Sequence, residues 1–441
     1  MSDAHGPVLC VDVGSTFTKG VLVDGDGTPR ARAAHPTTVG TDVMDGVDAV
    51  RQELGAGDDV EVLACSSAGG GLRLAVVGYE REVTAEAGSR VGLSAGARVV
   101  HVASGPMAGA DVTALRAARP DVVLLVGGTD GGNADVLLHN ARRIARARVA
   151  APVVVAGNVA AAEEVAAELA GTGRRYVVTG NVLPRIGAVE PGGARAAIRE
   201  VFLEHVIGGS RLSRGRGFAR LVRAATPDAV LRGVELLAQV RGEDVLVVDV
   251  GGATTDVYSV LTPQGEDAAL RRDVVGTLWH ARTVEADLGM RWNAGGIVEA
   301  ADRERLTLPD PARAWAATVL ADPGRLATTD AEWAAEEALA RAAVVLAVRR
   351  HGRPGAPGER PRPLADVGLV VGSGGVLRHA PPAVSAAVVA AALTDHAGGW
   401  RVPDRAGTVL DARYLLFAVG LLADERPVAA RALAAALVPS G

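Results

Sequence analysis

The sequence VLCVDVGSTFTKGVLV occupies residues 8–23, and a related sequence, VLVVDVGGATTDVYSV, occupies residues 245–260. Aligned without gaps, the two stretches are identical at 8 of 16 positions, and they lie 237 residues apart in a chain of 441. A repeat at about half the chain length indicates two related lobes, because solenoid repeats recur about every 20–50 residues. The two stretches therefore predict a duplicated fold.

Each stretch predicts a buried strand that ends at an aspartate, Asp12 or Asp249, just before a glycine-rich turn. Glycine lets the backbone approach a ligand closely, and successive amides of such a turn can bind phosphate oxygens. Carboxylates suit Mg²⁺, which keeps part of its water shell and bridges carboxylates to phosphates. We therefore expect the two turns to hold a nucleotide's phosphates between the lobes, with Asp12 and Asp249 binding Mg²⁺ through water.

Backbone amides and hydroxyl groups of both turns are the expected phosphate donors. These nucleotide-binding candidates are Gly14, Ser15, Thr16, Thr18, Gly251, Gly252, Thr254, Thr255 and Asp256. Lys19 is the only lysine in the chain, and the other 45 basic residues are arginines. A lysine offers a compact charge on a flexible stem, which suits a tight phosphate turn better than the planar guanidinium. We expect Lys19 to act there, and the alternative is that the one lysine lies there by chance.

A third glycine-rich turn follows the apolar run at residues 367–371. Such turns after strands are common, so the motif alone is a weak signal. In third place, after both phosphate turns, it predicts a close approach of the backbone to a base or ribose. The expected adenosine-binding residues are Gly372, Ser373, Gly374 and Gly375.

Between the two related stretches, short apolar runs alternate with alanine-rich helical stretches. This alternation predicts βαβ units and a parallel sheet, and hence an α/β fold class. A last apolar helix is expected at residues 411–423. We expect four parts in chain order: a first lobe at residues 1–97, an inserted parallel α/β unit at 98–182, a mainly helical return to the first lobe at 183–242, and a second lobe at 243–441.

The composition argues against several classes of function. The chain carries 46 Lys and Arg against 51 Asp and Glu, a net charge of -5, and only 3% aromatic residues. Nucleic-acid binding calls for a basic face or stacking aromatics, so we expect no nucleic-acid partner. Two cysteines make no disulfide framework, and neither a signal peptide nor an apolar run of about 18 residues is evident. We expect a cytoplasmic protein that does not span a membrane.

The three motifs, in this order, resemble the actin/Hsp70/sugar-kinase superfamily of ATPases. More specifically, the chain resembles the glutamate mutase accessory protein family (MutL/GlmL type), which is unrelated to the mismatch-repair protein of similar name. The resemblance implies a two-lobed actin-like ATPase with duplicated ribonuclease H-like lobes. The stretches that carry it lie at residues 12–19, 125–133, 181–187, 249–258, 283–291 and 413–422.

This family resemblance implies an ATP-binding and ATP-hydrolysing accessory factor that reactivates an adenosylcobalamin-dependent mutase, such as glutamate mutase or an aminomutase. The implied partners are subunits of that mutase, and the implied ligands are ATP or ADP with Mg²⁺. No Asp-x-His-x-x-Gly signature of a cobalamin-binding subunit is present. We therefore do not expect cobalamin to bind directly as a cofactor, and the oligomeric state stays open.

Alternatives remain at two motifs and for the function. Glu285 and Asp287 are candidates for positioning the attacking water or Mg²⁺, so Glu285 joins Asp12, Lys19 and Asp249 as an expected catalytic residue; the alternative is a solvated helix face. Asp130 marks either a ligand or partner site or a tight strand-to-helix connection. The alternative functions are a small-molecule kinase of the actin-like fold and a non-catalytic, nucleotide-gated binding protein.

Overall fold

The computed structural model describes residues 6–68, 72–80, 84–186, 188–208, 212–213, 217–262, 279–354 and 361–438. The strands found there form three five-stranded sheets. In chain order they are β1 (Val8–Val13), β2 (Phe17–Val23), β3 (Pro29–Pro36), β4 (Glu61–Ser66), β5 (Leu72–Gly78), β6 (Ala97–Ser104), β7 (Val122–Leu125), β8 (Val153–Val155), β9 (Tyr176–Val178), β10 (Val222–Ala225), β11 (Val245–Val250), β12 (Thr255–Val260), β13 (His280–Glu285), β14 (Leu369–Ser373) and β15 (Gly407–Leu410).

The helices of the described residues are mostly short. They are α1 (Val43–Glu53), α2 (Glu86–Ser94), α3 (Gly109–Ala117), α4 (Asp135–Arg146), α5 (Ala162–Ala170), α6 (Gly192–Val201), α7 (Gly217–Leu221), α8 (Thr226–Arg241), α9 (Ala294–Arg303), α10 (Asp310–Ala321), α11 (Asp330–Gly352), α12 (Gly375–His379), α13 (Pro382–Thr394), α14 (Leu416–Glu425) and α15 (Pro427–Leu437). None of those traced in the described ranges combines the length and hydropathy that crossing a bilayer requires.

The two lobes have the same sheet. The first lobe orders its strands β3-β2-β1-β4-β10, and the second orders them β13-β12-β11-β14-β15. In both, the first three strands in sequence form an antiparallel meander, and the last two add in parallel on the other side of the first strand. The expected α/β, two-lobed actin-like architecture is therefore confirmed, and the sequence repeat coincides with the first hairpin of each lobe.

The third sheet is entirely parallel and has the order β6-β5-β7-β8-β9. The apolar runs of the alternating pattern, at residues 99–103, 122–126, 153–156 and 176–179, coincide with its strands β6 to β9. Strand β5 lies near the middle of this sheet, although it precedes residue 98, where the inserted unit was expected to begin. The apolar run of β5 was missing from the sequence-based prediction, so this sheet starts earlier in the chain than expected.

Two helices, α8 and α14, pack between the lobe sheets. One continuous apolar core contains residues from β1, from β11 and from both helices. The helices approach closely because Gly233 and Gly420 lie where they meet. A Cβ atom on Gly233 would lie 2.0 Å from the Leu416 carbonyl oxygen, and one on Gly420 would lie 1.8 Å from the Ala229 carbonyl oxygen. The lobes therefore meet through backbone at this point.

Two sequence-based expectations differ from the structure in detail. The helix expected at residues 411–423 begins at Leu416, because the Asp411 carboxylate accepts hydrogen bonds from the Leu415 and Leu416 amides and so caps the helix later. Glu285 ends strand β13 and does not lie on a helix face. The alternative of a solvated helix face is therefore wrong for Glu285.

Candidate functional site

The first turn places a buried carboxylate at the junction of the lobes. Asp12 is the penultimate residue of β1, pairs in register with Lys19 on β2, and is only 2% exposed. Its Oδ1 accepts a hydrogen bond from the Thr226 hydroxyl at 2.6 Å. Its Oδ2 accepts one from the Tyr414 hydroxyl of the second lobe at 2.9 Å and lies 4.0 Å from Lys19 Nζ. Asp12 is therefore held by both lobes.

The two turns have the same backbone closure. In the first, the Gly14 amide donates to the Phe17 carbonyl at 3.1 Å; in the second, the Gly251 amide donates to the Thr254 carbonyl at 2.9 Å. A Cβ on either glycine would come within 2.9 Å of the same carbonyl oxygen, so both positions require glycine. The tips of both turns are exposed: Ser15, Thr16 and Gly252 are expected donors, and Ala253, which was not among them, is exposed beside Gly252.

The second turn is braced within its own lobe. The Met290 amide donates to the Gly251 carbonyl, and the Arg291 and Trp292 amides donate to the Gly252 carbonyl at 2.8 and 3.0 Å. The Arg291 guanidinium is paired with buried Glu336 at 2.7 Å. This scaffold fixes the carbonyl side of the second turn and leaves its opposite side exposed.

The threonine hydroxyls of the two related strands point into their lobes. Thr18 and Thr255 occupy equivalent positions of the repeat, and both are fully buried. The Thr18 hydroxyl lies 3.1 Å from the Thr37 hydroxyl, and the Thr255 hydroxyl donates to the Leu288 carbonyl at 2.6 Å. The structure therefore does not bring these two expected donors to the exposed side of the turns.

The third turn lies directly beside the second. Strand β14 pairs with β11 so that Ser373 is opposite Asp249. Gly374 has a φ of 107°, and a Cβ there would lie 2.2 Å from the Val250 carbonyl oxygen, so only glycine fits. Ser373 is buried, Gly372 packs under Val389, and Gly375 opens onto free space. The third turn thus presents backbone next to the second turn, and the nucleoside site expected there stays a prediction.

Two residues at this junction were not expected from the sequence. Arg378 on α12 and Tyr414 between β15 and α14 both lie beside Lys19. Lys19 Nζ is 4.2 Å from the centre of the Tyr414 ring, and the Arg378 guanidinium carbon is 4.5 Å from it. Tyr414 has a φ of 57°, which is unusual for a residue other than glycine and is typical of functional sites. One tyrosine thus joins cations from both lobes.

The electrostatics of this junction depart from those of a surface. Burial raises the pKa of the Asp249 carboxyl to about 6, although the Arg378 guanidinium nearby opposes the rise. Burial also lowers the pKa of the Lys19 ammonium, and the Asp12 carboxylate opposes that change. Desolvation strengthens every charge interaction made here, so an anion bound beside Lys19 and Arg378 would interact strongly with these two cations.

Glu285 belongs to a different cluster of charges. Its carboxylate pairs with Arg350 at 2.9 Å, and Arg350 also pairs with Asp287 at 2.6 Å and with Glu304 at 3.4 Å. Strand β12 lies between β13, which carries Glu285, and β11, which carries Asp249. The structure therefore groups Asp12, Lys19 and Asp249, and it does not bring Glu285 into contact with them.

Asp130 in the inserted unit has a local role in its loop. Its Oδ1 accepts hydrogen bonds from the Asn181 side chain at 2.8 Å and from the Val159 amide at 3.1 Å. The Asn158 side chain accepts from the Gly131 amide at 3.1 Å. These contacts tie three strand ends together, which favours the tight connection over the ligand site.

The donor set of the lobe junction fits the groups that the resemblance implies. Asp256 Oδ1 and Arg378 Nη1 are buried, and neither has a hydrogen-bond partner in the described part of the chain. A buried acceptor and a buried donor without partners are costly unless a ligand, ion or water completes them. Over the described ranges, no three His, Cys, Asp or Glu side chains could hold a metal by themselves, so a cation here would need further oxygen ligands.

Comparison with known proteins finds one family over nearly the whole chain. The family model described as MutL protein matches residues 8–437. Protein MutL of Clostridium tetanomorphum is 33% identical over 446 residues, which cover 95% of this chain and 96% of that protein.

Solved structures with similar architecture share little sequence. Nucleotide-free acetone carboxylase is 15% identical with a TM-score of 0.40, over 94% of this chain and 70% of that one. The activator of 2-hydroxyisocaproyl-CoA dehydratase from Clostridium difficile, with bound ADPNP, is 11% identical with a TM-score of 0.35, over 99% of this chain and 100% of that one.

Proposed function

This chain belongs to the MutL protein family, and from that premise we propose that it is an ATP-dependent accessory factor that reactivates an adenosylcobalamin-dependent mutase. The expected partners are subunits of glutamate mutase or of an aminomutase. The family membership supports the accessory role. The nucleotide part of the proposal rests on the geometry of the lobe junction.

The observation that carries the nucleotide site is the meeting of the two duplicated turns beside the third turn. Asp12 and Lys19 come from one lobe, and Asp249 and the third turn come from the other. The Tyr414–Asp12 hydrogen bond crosses between the lobes. A ligand held at this point contacts both lobes, so its binding can change how the lobes are positioned relative to each other.

The residues at the junction have separable roles in this proposal. The exposed amides of both turns bind phosphate oxygens, and Lys19 neutralises their charge. Asp12 and Asp249 hold Mg²⁺ through its water shell. When bound, Mg²⁺–ATP supplies charge neutralisation and a cleavable phosphoanhydride. With a pKa of about 6, Asp249 is mostly ionised at pH 7.5, as binding a cation requires. Glu285 remains a candidate for orienting water only if the lobe rearranges.

An accessory factor must convert nucleotide binding into a change of shape. A ligand shifts such an equilibrium only as far as it binds the two states differently. Here the differential contact is the lobe junction, because Tyr414 holds Asp12 and also lies against Lys19. Moving either group relative to Tyr414 would alter a contact between the lobes. Closure and opening of the lobes is then the motion that would act on the mutase.

Phosphate release tests the proposal. Purified protein with Mg²⁺–ATP is assayed alone, with an inactivated adenosylcobalamin-dependent mutase, and with a panel of sugars. Stimulation by the mutase, together with recovery of mutase activity, is the expected result. Stimulation by a sugar would favour the kinase, and ATP binding without release under any condition would favour the nucleotide-gated binding protein.

A matched pair of variants controls that assay. Lys19→Ala should lose phosphate release while keeping its thermal transition. Arg405→Gln removes an exposed charge just before β15, at the opposite edge of the sheet from the turns, and should behave like the wild type. Equal release by Lys19→Ala and the wild type would remove Lys19 from the site.

A further inference from the structure

The second phosphate turn lacks the cation that the first turn has. The repeat aligns Lys19 with Asp256, and each lies opposite the aspartate near the end of the first strand of its lobe. Asp256 is already paired with buried Arg282 at 3.2 Å. The second lobe thus presents two neighbouring carboxylates, Asp249 and Asp256, at a place where the proposed ligand is an anion. A further cation on this side, beyond Arg282 and the proposed Mg²⁺, would favour phosphate binding.

Arg378 is the cation in the right place. It lies on α12, four residues after Gly374 of the third turn, and its amide donates to the Gly374 carbonyl at 3.2 Å. Its guanidinium lies against the Tyr414 ring, and Lys19 from the other lobe lies against the same ring. The two cations therefore converge on the junction from opposite lobes.

Arg378 also has an unused donor. Its Nη1 is buried without a hydrogen-bond partner, and among the described arginines it is the only terminal guanidinium nitrogen in that condition. Such a nitrogen carries two protons that need acceptors, and leaving them unmet inside a protein costs about 1–3 kcal/mol. An oxyanion delivered between the lobes would satisfy it.

We infer that Arg378 binds the nucleotide phosphates from the second lobe, opposite Lys19, and that Tyr414 is the positioning residue that holds both cations in place. This inference rests on the proposed function, because it names a further residue of the same nucleotide site. The competing account is structural, and in it Arg378 only neutralises Asp249 and Asp411. Burial raises the pKa of both carboxyl groups, and the Arg378 guanidinium opposes that rise.

Calorimetric titration of the full chain separates these accounts. Arg378→Gln is titrated with ATP, ADP, AMP and adenosine in Mg²⁺ buffer, beside the wild type and the Arg405→Gln control. A phosphate contact predicts that ATP affinity falls about tenfold to a hundredfold, as expected for a charge-assisted hydrogen bond. The loss should shrink with each phosphate removed and vanish for adenosine. The control should match the wild type throughout.

Other outcomes overturn the inference in distinguishable ways. Unchanged ATP affinity in Arg378→Gln, or equal losses for ATP and adenosine, rejects the phosphate contact while leaving the proposed function standing. Absence of any ATP binding by the wild type rejects the proposed function, and the inference falls with it. If Arg378→Gln does not fold, Arg378→Lys keeps the charge without the planar fork and should show a smaller loss, graded in the same way.

Tyr414 provides an independent readout. Tyr414→Leu removes the ring against which both cations lie, so we expect a loss of ATP affinity of several-fold and a steeper fall of affinity with added salt, because less ordered cations are screened more. Wild-type ATP affinity and salt dependence in Tyr414→Leu would reject the positioning role.

Discussion

The first and second phosphate turns share a backbone and differ in what supports them. In the first, the Val13 carbonyl accepts hydrogen bonds from the Ser67 and Ala68 amides, and Asp12 is held by groups from both lobes. In the second, the Val250 carbonyl lies against the backbone of Gly374, and the turn is braced from within its own lobe. Duplication has kept the strand and turn and changed their surroundings.

This difference suggests that the two turns respond differently when the lobes move. The first turn depends on Tyr414 from the second lobe, so its carboxylate is sensitive to the relative position of the lobes. The second turn, tied to residues 290–292 of its own lobe, keeps its geometry when the lobes move. A duplicated site with one rigid half and one half shared across the junction can therefore sense closure as well as bind.

The largest effect is expected at the contact between the second and third turns. Gly374→Ala would place a Cβ 2.2 Å from the Val250 carbonyl oxygen at a φ of 107°. We expect a loss of unfolding free energy of about 3 kcal/mol or more, because steric overlap adds to backbone strain. Gly399→Ala is the matched control, since Gly399 has a φ of 80° but open space around it, and it should cost about 1 kcal/mol.

Urea denaturation checks this pair of variants. Equal losses in Gly374→Ala and Gly399→Ala would mean that the third turn moves freely away from the second. The second turn would then not be the rigid half of the site.

Removing either turn aspartate should affect turnover next most strongly. Asp12→Asn and Asp249→Asn each remove a charge proposed to hold Mg²⁺, so phosphate release with the mutase present should fall about a hundredfold, or about 2.7 kcal/mol. Asp404→Asn, at the opposite edge of the sheet, is the control. Retained release in only one aspartate variant would show that the two turns are chemically unequal and would remove that residue from the site.

The stability of the folded protein should depend on pH through the Asp249 carboxyl group. Because burial raises its pKa to about 6, stability from the protonated carboxyl is fully present below about pH 4 and is lost as pH rises through about 6. Asp249→Asn should therefore be about 1–3 kcal/mol more stable than the wild type at pH 8, and the two should converge near pH 4. Thermal unfolding across this range measures it, and a difference that is constant with pH would contradict the assignment.

The smallest effect is expected at the contact that joins the two halves. Tyr414→Phe keeps the ring beside Lys19 and Arg378 but removes the hydroxyl that donates to Asp12 at 2.9 Å. We expect a loss of about 1 kcal/mol in unfolding free energy, since Asp12 keeps its bond from Thr226. Chemical denaturation checks the value. No change in stability would show that this bond does not couple the lobes.

Much of the fold was predictable because its signals are local. The apolar runs of β1, β11 and β14 end at glycine-rich turns, and this pattern predicts strands and their ends directly. Strand β5 has an apolar run of its own, but its place in the third sheet depends on pairing with β6 and β7, which its residues alone do not show, so the start of that sheet was not predicted.

The candidate site was predictable in its backbone and less so in its side chains. Strand alternation turns Thr18 away from Lys19, its neighbour, and this periodicity could have been applied in advance. Arg378 and Tyr414 have no local signature at all. Tyr414 contacts Asp12 across 402 residues of sequence, and only the folded arrangement of the two lobes reveals such a pair.

The crossing of α8 and α14 has a mechanical consequence. At Gly233 and Gly420 each helix presents bare main chain to the other, so the two helix axes come closer at these positions than side chains there would allow. We expect a change in the angle between the lobes to pivot at this crossing, where the helices are closest and backbone contacts backbone. A small rotation about this point displaces atoms in proportion to their distance from it, so the far ends of the lobes would move the most.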